Sequence, residues 1–259
     1  DFLVGVSVDG YRDLHDYNRV DAAKKGSYSR VVKTVKLLQQ KGVDVNLLCV
    51  VTGLCARHPQ KVYAGLKKLG GYLQFIPCLD PLEEERGSAP YSLTPEAYGD
   101  FLCGLFDEWF RDWEKGQYIS VRLFDDYVHL ALGEPAGTCA TSGGCGSYFV
   151  VEGDGSIYPC DFYVLDPWRM GTVQEQSLQE MANGETARRF LKEGSQRPAE
   201  CANCQWLRLC NGGCRRDWIW EADGTHNYYC GAFQKLFEHA ASRIQHIARC
   251  EMQMRRMCR

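Results

Sequence analysis

The chain has 259 residues and a formal net charge of −3, and 45% of its residues are hydrophobic. This length and composition are those of a globular protein with one large or two modest domains. The charge gives no electrostatic basis for binding nucleic acid or an anionic membrane surface. No apolar run approaches the roughly 20 residues of a membrane-spanning helix, so we expect neither partner.

Strand and helix signals alternate over the first 80 residues. The predicted elements are strand 2–8, helix 27–41, strand 45–52, helix 59–69 and strand 72–79. Helix 27–41 is predicted to bury one face, formed by Val31, Val32, Val35, Leu37 and Leu38. Strand–helix units at this spacing imply a parallel sheet with helices packed on it.

The next segment is predicted to be mostly helical. Residues 81–90 carry charges, Pro and Gly and predict a loop. Thr94 followed by Pro95 is the signature of a helix start, and this helix should run to about residue 115. A further helix is predicted over 125–132.

The sequence pattern changes after Gly137, where predicted short strands, Gly-rich turns and cysteines follow. Segments 149–151 and 156–158 predict a β-hairpin. We therefore place a domain boundary near 134–138, giving domains 1–135 and 136–259. The second domain includes a last helix from Ala232 onward that becomes basic, and we interpret it as a solvated helix rather than as a binding patch.

Fourteen cysteines are unusual for a chain of this size. Eight of them are crowded into one segment, at Cys139, Cys145, Cys160, Cys201, Cys204, Cys210, Cys214 and Cys230. Dense spacing without a secretion signal favours metal or cluster ligation in a reducing compartment, the cytoplasm. Two iron–sulfur clusters, two four-thiolate zinc sites and a disulfide network all remain open. The other six cysteines are interpreted as core or tail thiols.

The pattern Cys145-x9-Gly155-x4-Cys160, a gap, Cys201-x2-Cys204-x5-Cys210-x3-Cys214, a gap, then Cys230 resembles the SPASM domain of radical S-adenosylmethionine (SAM) enzymes. Segment 152–163 and the Cys210-Asn211-Gly212-Gly213-Cys214 loop are similar to the anaerobic sulfatase-maturating enzymes. Residues 5–10, with His15, Asp16 and Arg19, resemble their fourth barrel strand and the loop after it, and residues 74–77 their sixth strand. The resemblance implies an α/β fold: the last three strands of a radical SAM (β/α)6 partial barrel, followed by a small cysteine-rich α+β SPASM domain.

The same resemblance implies a function, radical SAM-dependent oxidation of a Cys or Ser side chain in a sulfatase to formylglycine. Two auxiliary [4Fe–4S] clusters would be held by two sets of four thiolates. One set is Cys139, Cys145, Cys160 and Cys214, and the other is Cys201, Cys204, Cys210 and Cys230. Asp161 matches the family's general base, a role that suits a carboxylate; without the resemblance it reads as a turn residue. Ser7, Arg19 and Leu79 match positions that contact SAM, and the planar fork of Arg suits a carboxylate.

The Cys-x3-Cys-x2-Cys motif that holds the SAM cluster in this family is absent from the sequence. We expect the chain to be part of a longer parent that holds SAM and a third [4Fe–4S] cluster, rather than a degenerate protein. The resemblance further implies a sulfatase as substrate, flavodoxin or ferredoxin as electron donor, and a monomer. Two alternatives remain: a SPASM maturase of a ribosomal peptide, for example one forming a thioether, and a zinc-stabilised interaction module.

Overall fold

The structure is a computed structural model that describes residues 2–81, 85–146, 148–222 and 224–257. The chain divides into two compact units. The first comprises Asp1–Glu134 with Gly231–Arg259, and the second comprises Pro135–Cys230. The last helix is thus grouped with the first unit, whereas the sequence analysis placed it with the cysteine-rich segment.

A parallel sheet forms the centre of the first unit. Its strands within the described residues are β1 (Val4–Ser7), β2 (Val45–Val51) and β3 (Tyr72–Pro77), in the order β1-β2-β3. Leu47 pairs with Val6 on one side and with Leu73 on the other, and all pairings are parallel. The strands of this sheet agree with the sequence prediction. Leu73 also forms an isolated parallel bridge with Val121, which lies beside the β3 edge of the sheet.

The helices of the first unit agree with most of the predicted spans. They are α1 (Arg12–Asn18), α2 (Tyr28–Gln40), α3 (Pro59–Lys67), α4 (Pro95–Glu114), α5 (Arg122–Ala131) and, from the second residue onward, α10 (Cys230–Met257). The predicted cap of α4 is confirmed, because the Thr94 hydroxyl accepts a hydrogen bond of 3.2 Å from Ala97 N–H. Phe106, Trp109 and Phe124 meet at ring-centroid distances of 5.1 to 5.5 Å and form the aromatic core beside α4.

The predicted buried face of α2 is partly wrong. Val35 is fully buried, but Leu37 is 53% exposed. A residue two positions along an α-helix lies about 200° around the axis, so Val35 and Leu37 cannot share one face.

The last helix, α10, is not a solvated element along its length. Its buried residues include Leu236, Phe237, Ala240, Ala241, Ile244, Ile247 and Ala248. They recur at intervals of three and four, which is the pattern of a helix with one core-facing stripe. Its opposite face is exposed, and from residue 252 onward the helix is exposed on all sides; there Arg255 forms an ion pair with Glu134.

The second unit consists of short elements. In the described residues these are α6 (Cys139–Ser142), β4 (Val150–Val151), β5 (Ser156–Tyr158), β6 (Gly171–Thr172), α7 (Leu178–Ala182), α8 (Glu185–Gly194), α9 (Leu207–Cys210), β7 (Trp218–Glu221) and β8 (Gly224–Asn227). The predicted hairpin is confirmed, since β4 and β5 pair antiparallel with Val150 opposite Tyr158. Strand β6 then pairs with β5.

The predicted loop 81–90 includes residues 82–84, which lie outside the described residues. Among the helices that the structure describes, none has the length and apolarity to cross a membrane.

Candidate functional site

The eight cysteines singled out by their spacing all belong to loops or element ends of the second unit. Cys139 begins α6, Cys160 follows β5, Cys210 ends α9 and Cys230 begins α10. The remaining four lie in the turns between elements, at Cys145, Cys201, Cys204 and Cys214. Loop positions let the backbone bend so that several sulfurs face one point. None of the seven from Cys139 to Cys214, all in the described part of the chain, forms a disulfide.

The loop between Cys210 and Cys214 has an unusual backbone. Asn211, Gly212 and Gly213 all have positive φ, at 53°, 90° and 70°. Glycine takes this conformation without the steric cost that a Cβ imposes. Three residues in this conformation turn the chain sharply, so two cysteines four positions apart can face in different directions.

Hydrogen bonds from three elements fix this loop. The Gly212 carbonyl accepts from Trp218 Nε1 of β7 and from Asn227 Nδ2 of β8, each at 2.9 Å. The Asn211 amide donates to the Thr141 carbonyl of α6 at 2.7 Å. Buried backbone carbonyls need hydrogen-bond donors. Here the hydrogen bonds connect the loop to the β7–β8 pair and to α6.

Electrostatic coupling sorts four of the thiols into a first cysteine group, which is Cys139, Cys145, Cys160 and Cys214. Burial, with smaller contributions from nearby Cys139 and Cys160, raises the pKa of Cys145 to about 11, although the charge of Arg215 opposes this shift. Burial also raises the pKa of Cys214, with contributions from Asp217, Cys139 and Cys160. Thiols that influence each other in this way lie close together.

The other four thiols make a second cysteine group, which is Cys201, Cys204, Cys210 and Cys230. Burial, with smaller contributions from Cys230, Cys201 and Cys204, raises the pKa of Cys210 to about 12. The pKa of Cys201 is raised by burial, by Glu200 and by Cys204. Each group has the members of one ligand set that the family resemblance implies, and their role as cluster ligands stays a prediction.

Backbone N–H groups point at three of these sulfurs, each from two residues downstream. Phe162 N–H donates a hydrogen bond to Cys160, and Gly212 N–H donates one to Cys210. Each hydrogen bond lowers the pKa of its thiol and so opposes the effect of burial. Arg216 N–H donates to Cys214 Sγ at 3.4 Å. Donors of this kind stabilise the thiolate, the form that ligates iron.

The donor set therefore fits iron–sulfur clusters. Thiolates are the ligands of these clusters, and four are needed for each cubane. In the parts of the chain that the structure describes, no group of three His, Cys, Asp or Glu side chains is close enough to hold a single metal ion. A four-iron cubane takes a wider cage than a single ion, because iron and sulfide lie between its thiolates.

Asp161 is an exposed residue directly after Cys160. Its carboxylate accepts a hydrogen bond of 2.9 Å from the Tyr148 hydroxyl, and the Cys160 thiol lies 3.5 Å from the same oxygen. The Tyr148 hydroxyl is also 3.4 Å from Cys160 Sγ. Sequence reasoning missed Tyr148, because nothing marks an aromatic residue twelve positions before a cysteine as its neighbour.

The three residues predicted to contact SAM belong to the first unit. Ser7 ends β1, and Leu79 follows β3, so both lie at the carboxyl edge of the parallel sheet. Ligands of parallel α/β sheets bind at this edge. Both residues are half-buried, and their contact with SAM stays a prediction.

Arg19 makes a two-point ion pair that the sequence analysis did not anticipate. Its Nε and a terminal nitrogen donate to the buried Asp9 carboxylate at 2.7 and 3.2 Å. Val50 N–H donates to the same carboxylate at 3.2 Å. The pairing of Asp9 with a residue ten positions away leaves no local pattern in the sequence.

Comparison with known proteins extends over nearly the whole chain. The SPASM family, described as an iron–sulfur cluster-binding domain, matches residues 143–205. The cysteine-type anaerobic sulfatase-maturating enzyme of Clostridium novyi (strain NT) is 41% identical over 251 residues, which is 96% of this chain and 67% of the relative. The cysteine-type enzyme of Clostridium perfringens (strain 13 / Type A) is 42% identical, covering 95% of this chain and 68% of the relative.

A serine-type relative and a solved structure are also similar. The serine-type anaerobic sulfatase-maturating enzyme of Bacteroides thetaiotaomicron is 32% identical over 93% of this chain and 62% of its own length. The structure of native anSMEcpe with bound AdoMet and the Kp18Cys peptide is 42% identical, with a TM-score of 0.90 over 96% of this chain and 69% of that one. Because this similarity extends along its length, the chain belongs to the family of anaerobic sulfatase-maturating enzymes.

Proposed function

We propose that this chain is the part of a radical SAM oxidoreductase that holds two auxiliary clusters and directs oxidation of a Cys or Ser side chain in a sulfatase to formylglycine. The observation that carries the proposal is the pair of four-thiol groups, one of which borders the exposed carboxylate of Asp161. Membership of the maturase family supports the same reaction.

Cys139, Cys145, Cys160 and Cys214 would hold the first auxiliary [4Fe–4S] cluster, and Cys201, Cys204, Cys210 and Cys230 the second. Mutual electrostatic influence within each group supports this division. When bound, SAM and the clusters supply a carbon-centred radical on the substrate and uptake of one electron. What remains for the protein is to bind the substrate, orient it and remove a proton.

Asp161 is suited to take that proton. Loss of the thiol or hydroxyl proton lets the oxidised substrate carbon become a thioaldehyde or an aldehyde, and a carboxylate at hydrogen-bonding distance is a suitable acceptor. Asp161 is exposed, so an incoming side chain can reach it. The Tyr148 hydroxyl holds one carboxylate oxygen and leaves the second oxygen to the substrate.

We further infer that β1, β2 and β3 are the last three strands of a (β/α)6 partial barrel, with Ser7, Arg19 and Leu79 on the SAM side. The parallel order and the shared carboxyl edge support this. The third cluster would be ligated outside these 259 residues, which contain no Cys-x3-Cys-x2-Cys motif.

The cysteine-type reaction is the better match. Identity to the cysteine-type relatives is 41 to 42%, against 30 to 32% for the serine-type relatives. The substrate partner would be a sulfatase polypeptide, the electron donor a flavodoxin or ferredoxin, and the compartment a reducing one, the cytoplasm. We propose a monomer.

Metal analysis of the chain tests the cluster assignment. Protein purified anaerobically should be brown and contain about eight iron and about eight sulfide ions per chain, the content of two cubanes. Cys139→Ser and Cys230→Ser should each remove about half of the iron, since each breaks a different cluster. Cys250→Ser is the matched control and should keep all of it. Colourless protein carrying zinc would contradict the proposal and favour a zinc-stabilised interaction module.

The catalytic assignment is tested in the longer parent chain. Asp161→Asn should leave SAM cleavage intact and sharply reduce formylglycine, measured by mass spectrometry of a sulfatase peptide. Wild-type aldehyde yield in that variant would remove Asp161 from the reaction. A thioether crosslink in a precursor peptide, with no aldehyde from any sulfatase peptide, would favour the peptide-maturase alternative.

A further inference from the structure

Arg215 is a buried cation directly after the proposed ligand Cys214. It is 8% exposed, although arginine is rarely buried without a specific reason. Its guanidinium carbon lies 5.1, 5.0 and 5.2 Å from the ring centroids of Tyr163, Trp168 and Phe190. Cation–π contacts of this kind stabilise a desolvated guanidinium.

The hydrogen bonds of Arg215 are incomplete. One terminal nitrogen donates to the Phe190 carbonyl at 3.3 Å, and the other forms an ion pair with Glu193. The Nε–H is buried and has no partner among the described residues. An unsatisfied donor on a buried charge is costly, so its retention calls for an acceptor that the protein atoms do not supply.

Two members of the first cysteine group lie beside this cation. Cys214 is its neighbour in sequence. Cys145 packs on Gly194, the last residue of α8 and the one after Glu193, so closely that a Cβ at Gly194 would collide with the thiol. The positive charge of Arg215 also lowers the pKa of Cys145, against the larger opposing effect of burial.

The two charges of the ion pair are not equally screened. The Arg215 side chain is 7% exposed, whereas the Glu193 side chain is 37% exposed. Water weakens the influence of Glu193 more than that of Arg215, so the pair presents a net positive potential to the first cysteine group.

We propose that Arg215 raises the reduction potential of the cluster held by the first cysteine group, with its unpartnered Nε–H available to a sulfur of that cluster. This rests on the proposed function. Reduction adds one electron, so the reduced cluster is the more negative form. A fixed buried cation stabilises that form and favours electron uptake.

The test is a redox titration of the reconstituted chain, followed by electron paramagnetic resonance. Arg215→Gln should lower the ratio of reduced to oxidised first cluster about tenfold at a fixed potential, which is about 59 mV for one electron. Glu193→Gln should shift the same potential upward. Arg215→Lys keeps the charge and should shift it less than the glutamine variant does.

Two controls isolate the charge from the packing. Arg189 lies 4.5 Å over the ring of Trp168 but is exposed, so Arg189→Gln should leave both potentials in place. The couple of the second cysteine group is an internal control and should not move in any variant. The opposite signs expected for Arg215→Gln and Glu193→Gln cannot arise from a general loss of structure. If the glutamine variant of Arg215 does not fold, the Lys variant and Glu193→Gln decide the question.

The outcomes separate this inference from the proposed function. A chain that takes up no iron–sulfur cluster overturns both. A chain with two clusters whose potentials stay the same in Arg215→Gln and Glu193→Gln, or move in the same direction, overturns this inference alone.

Discussion

Asp112 of α4 connects two side chains of α3, and Asp112→Asn should destabilise the protein at neutral pH but not in acid. Its carboxylate accepts from the Tyr63 hydroxyl at 2.9 Å and from Lys67 Nζ at 2.7 Å. Burial disfavours the charge, but the hydrogen bonds from Lys67 and Tyr63 outweigh it, so the pKa of Asp112 lies below its usual value.

The size of the effect follows from the surroundings of each partner. A hydrogen bond to a charged group contributes about 1.5 to 3 kcal/mol. The Lys67 side chain is 32% exposed and can turn to water, and an Asn oxygen can still accept from Tyr63. We therefore expect Asp112→Asn to cost about 1.5 kcal/mol of unfolding free energy. Asp112→Ala should cost about 3 kcal/mol, because the buried Tyr63 hydroxyl then has no acceptor.

The sign of the pH dependence is set by the direction of the pKa shift. A carboxyl whose pKa is lower in the folded state contributes stability above its unfolded pKa, about 3.9. That contribution is lost as the pH falls through the folded pKa. Below that pH the wild-type carboxyl is protonated, so the wild type and Asp112→Asn should have the same stability.

Urea titrations followed by circular dichroism, at about pH 7 and about pH 3, measure this difference. Asp100→Asn is the matched control on the same helix. Asp100 is 63% exposed and pairs with Lys235, and exposed pairs contribute little. An equal loss of stability by Asp112→Asn at both pH values would refute the reasoning, because packing rather than charge would then explain it.

Three further predictions concern Tyr148, Gly194 and His15. Tyr148→Phe should lower formylglycine formation in the parent chain about tenfold with unchanged iron content, because Asp161 loses the donor that orients it; loss of iron would instead assign Tyr148 to the cluster. Gly194→Ala should remove about half of the iron, because a Cβ there would collide with a thiol of the first cysteine group, whereas Gly153→Ala meets open space and should keep it. Burial lowers the pKa of His15 in the folded state. The unfolding free energy should therefore decrease as the pH falls below the unfolded-state pKa of about 6.5. Urea titrations should show this decrease for the wild type and not for His15→Gln.

Signals local in the sequence predicted much of the fold. The Thr94 cap and the hairpin around Gly155 depend on residues within a few positions of each other, and the structure has both. The apolar stripe of α10 could also be predicted, from apolar residues at intervals of three and four. The basic residues at its end instead favoured the interpretation as a solvated helix. Leu37 was misplaced because an apolar composition does not fix the angle of a residue around a helix.

Contacts between distant segments could not be predicted in this way. Asp9 has no partner until the turn after α1 brings Arg19 back to it. The rings around Arg215 come from 25 to 52 positions upstream, so nothing near it in the sequence indicates that it is buried. Spacing and family resemblance identified the cysteines as candidate ligands. The buried charge of Arg215 beside them could be found only from the tertiary structure.

The loop of Asn211, Gly212 and Gly213 explains why the two proposed clusters should not be independent. Cys210 on one side belongs to the second cysteine group, and Cys214 on the other belongs to the first. The Gly212 carbonyl is held by donors from β7 and β8, so the conformation that aims both thiols is fixed by a single hydrogen-bonded turn. A change that opens this turn, such as a side chain forced to positive φ at Gly212, must move a ligand of each group. Damage here should therefore remove iron from both clusters, whereas loss of Cys139 or Cys230 should remove it from one.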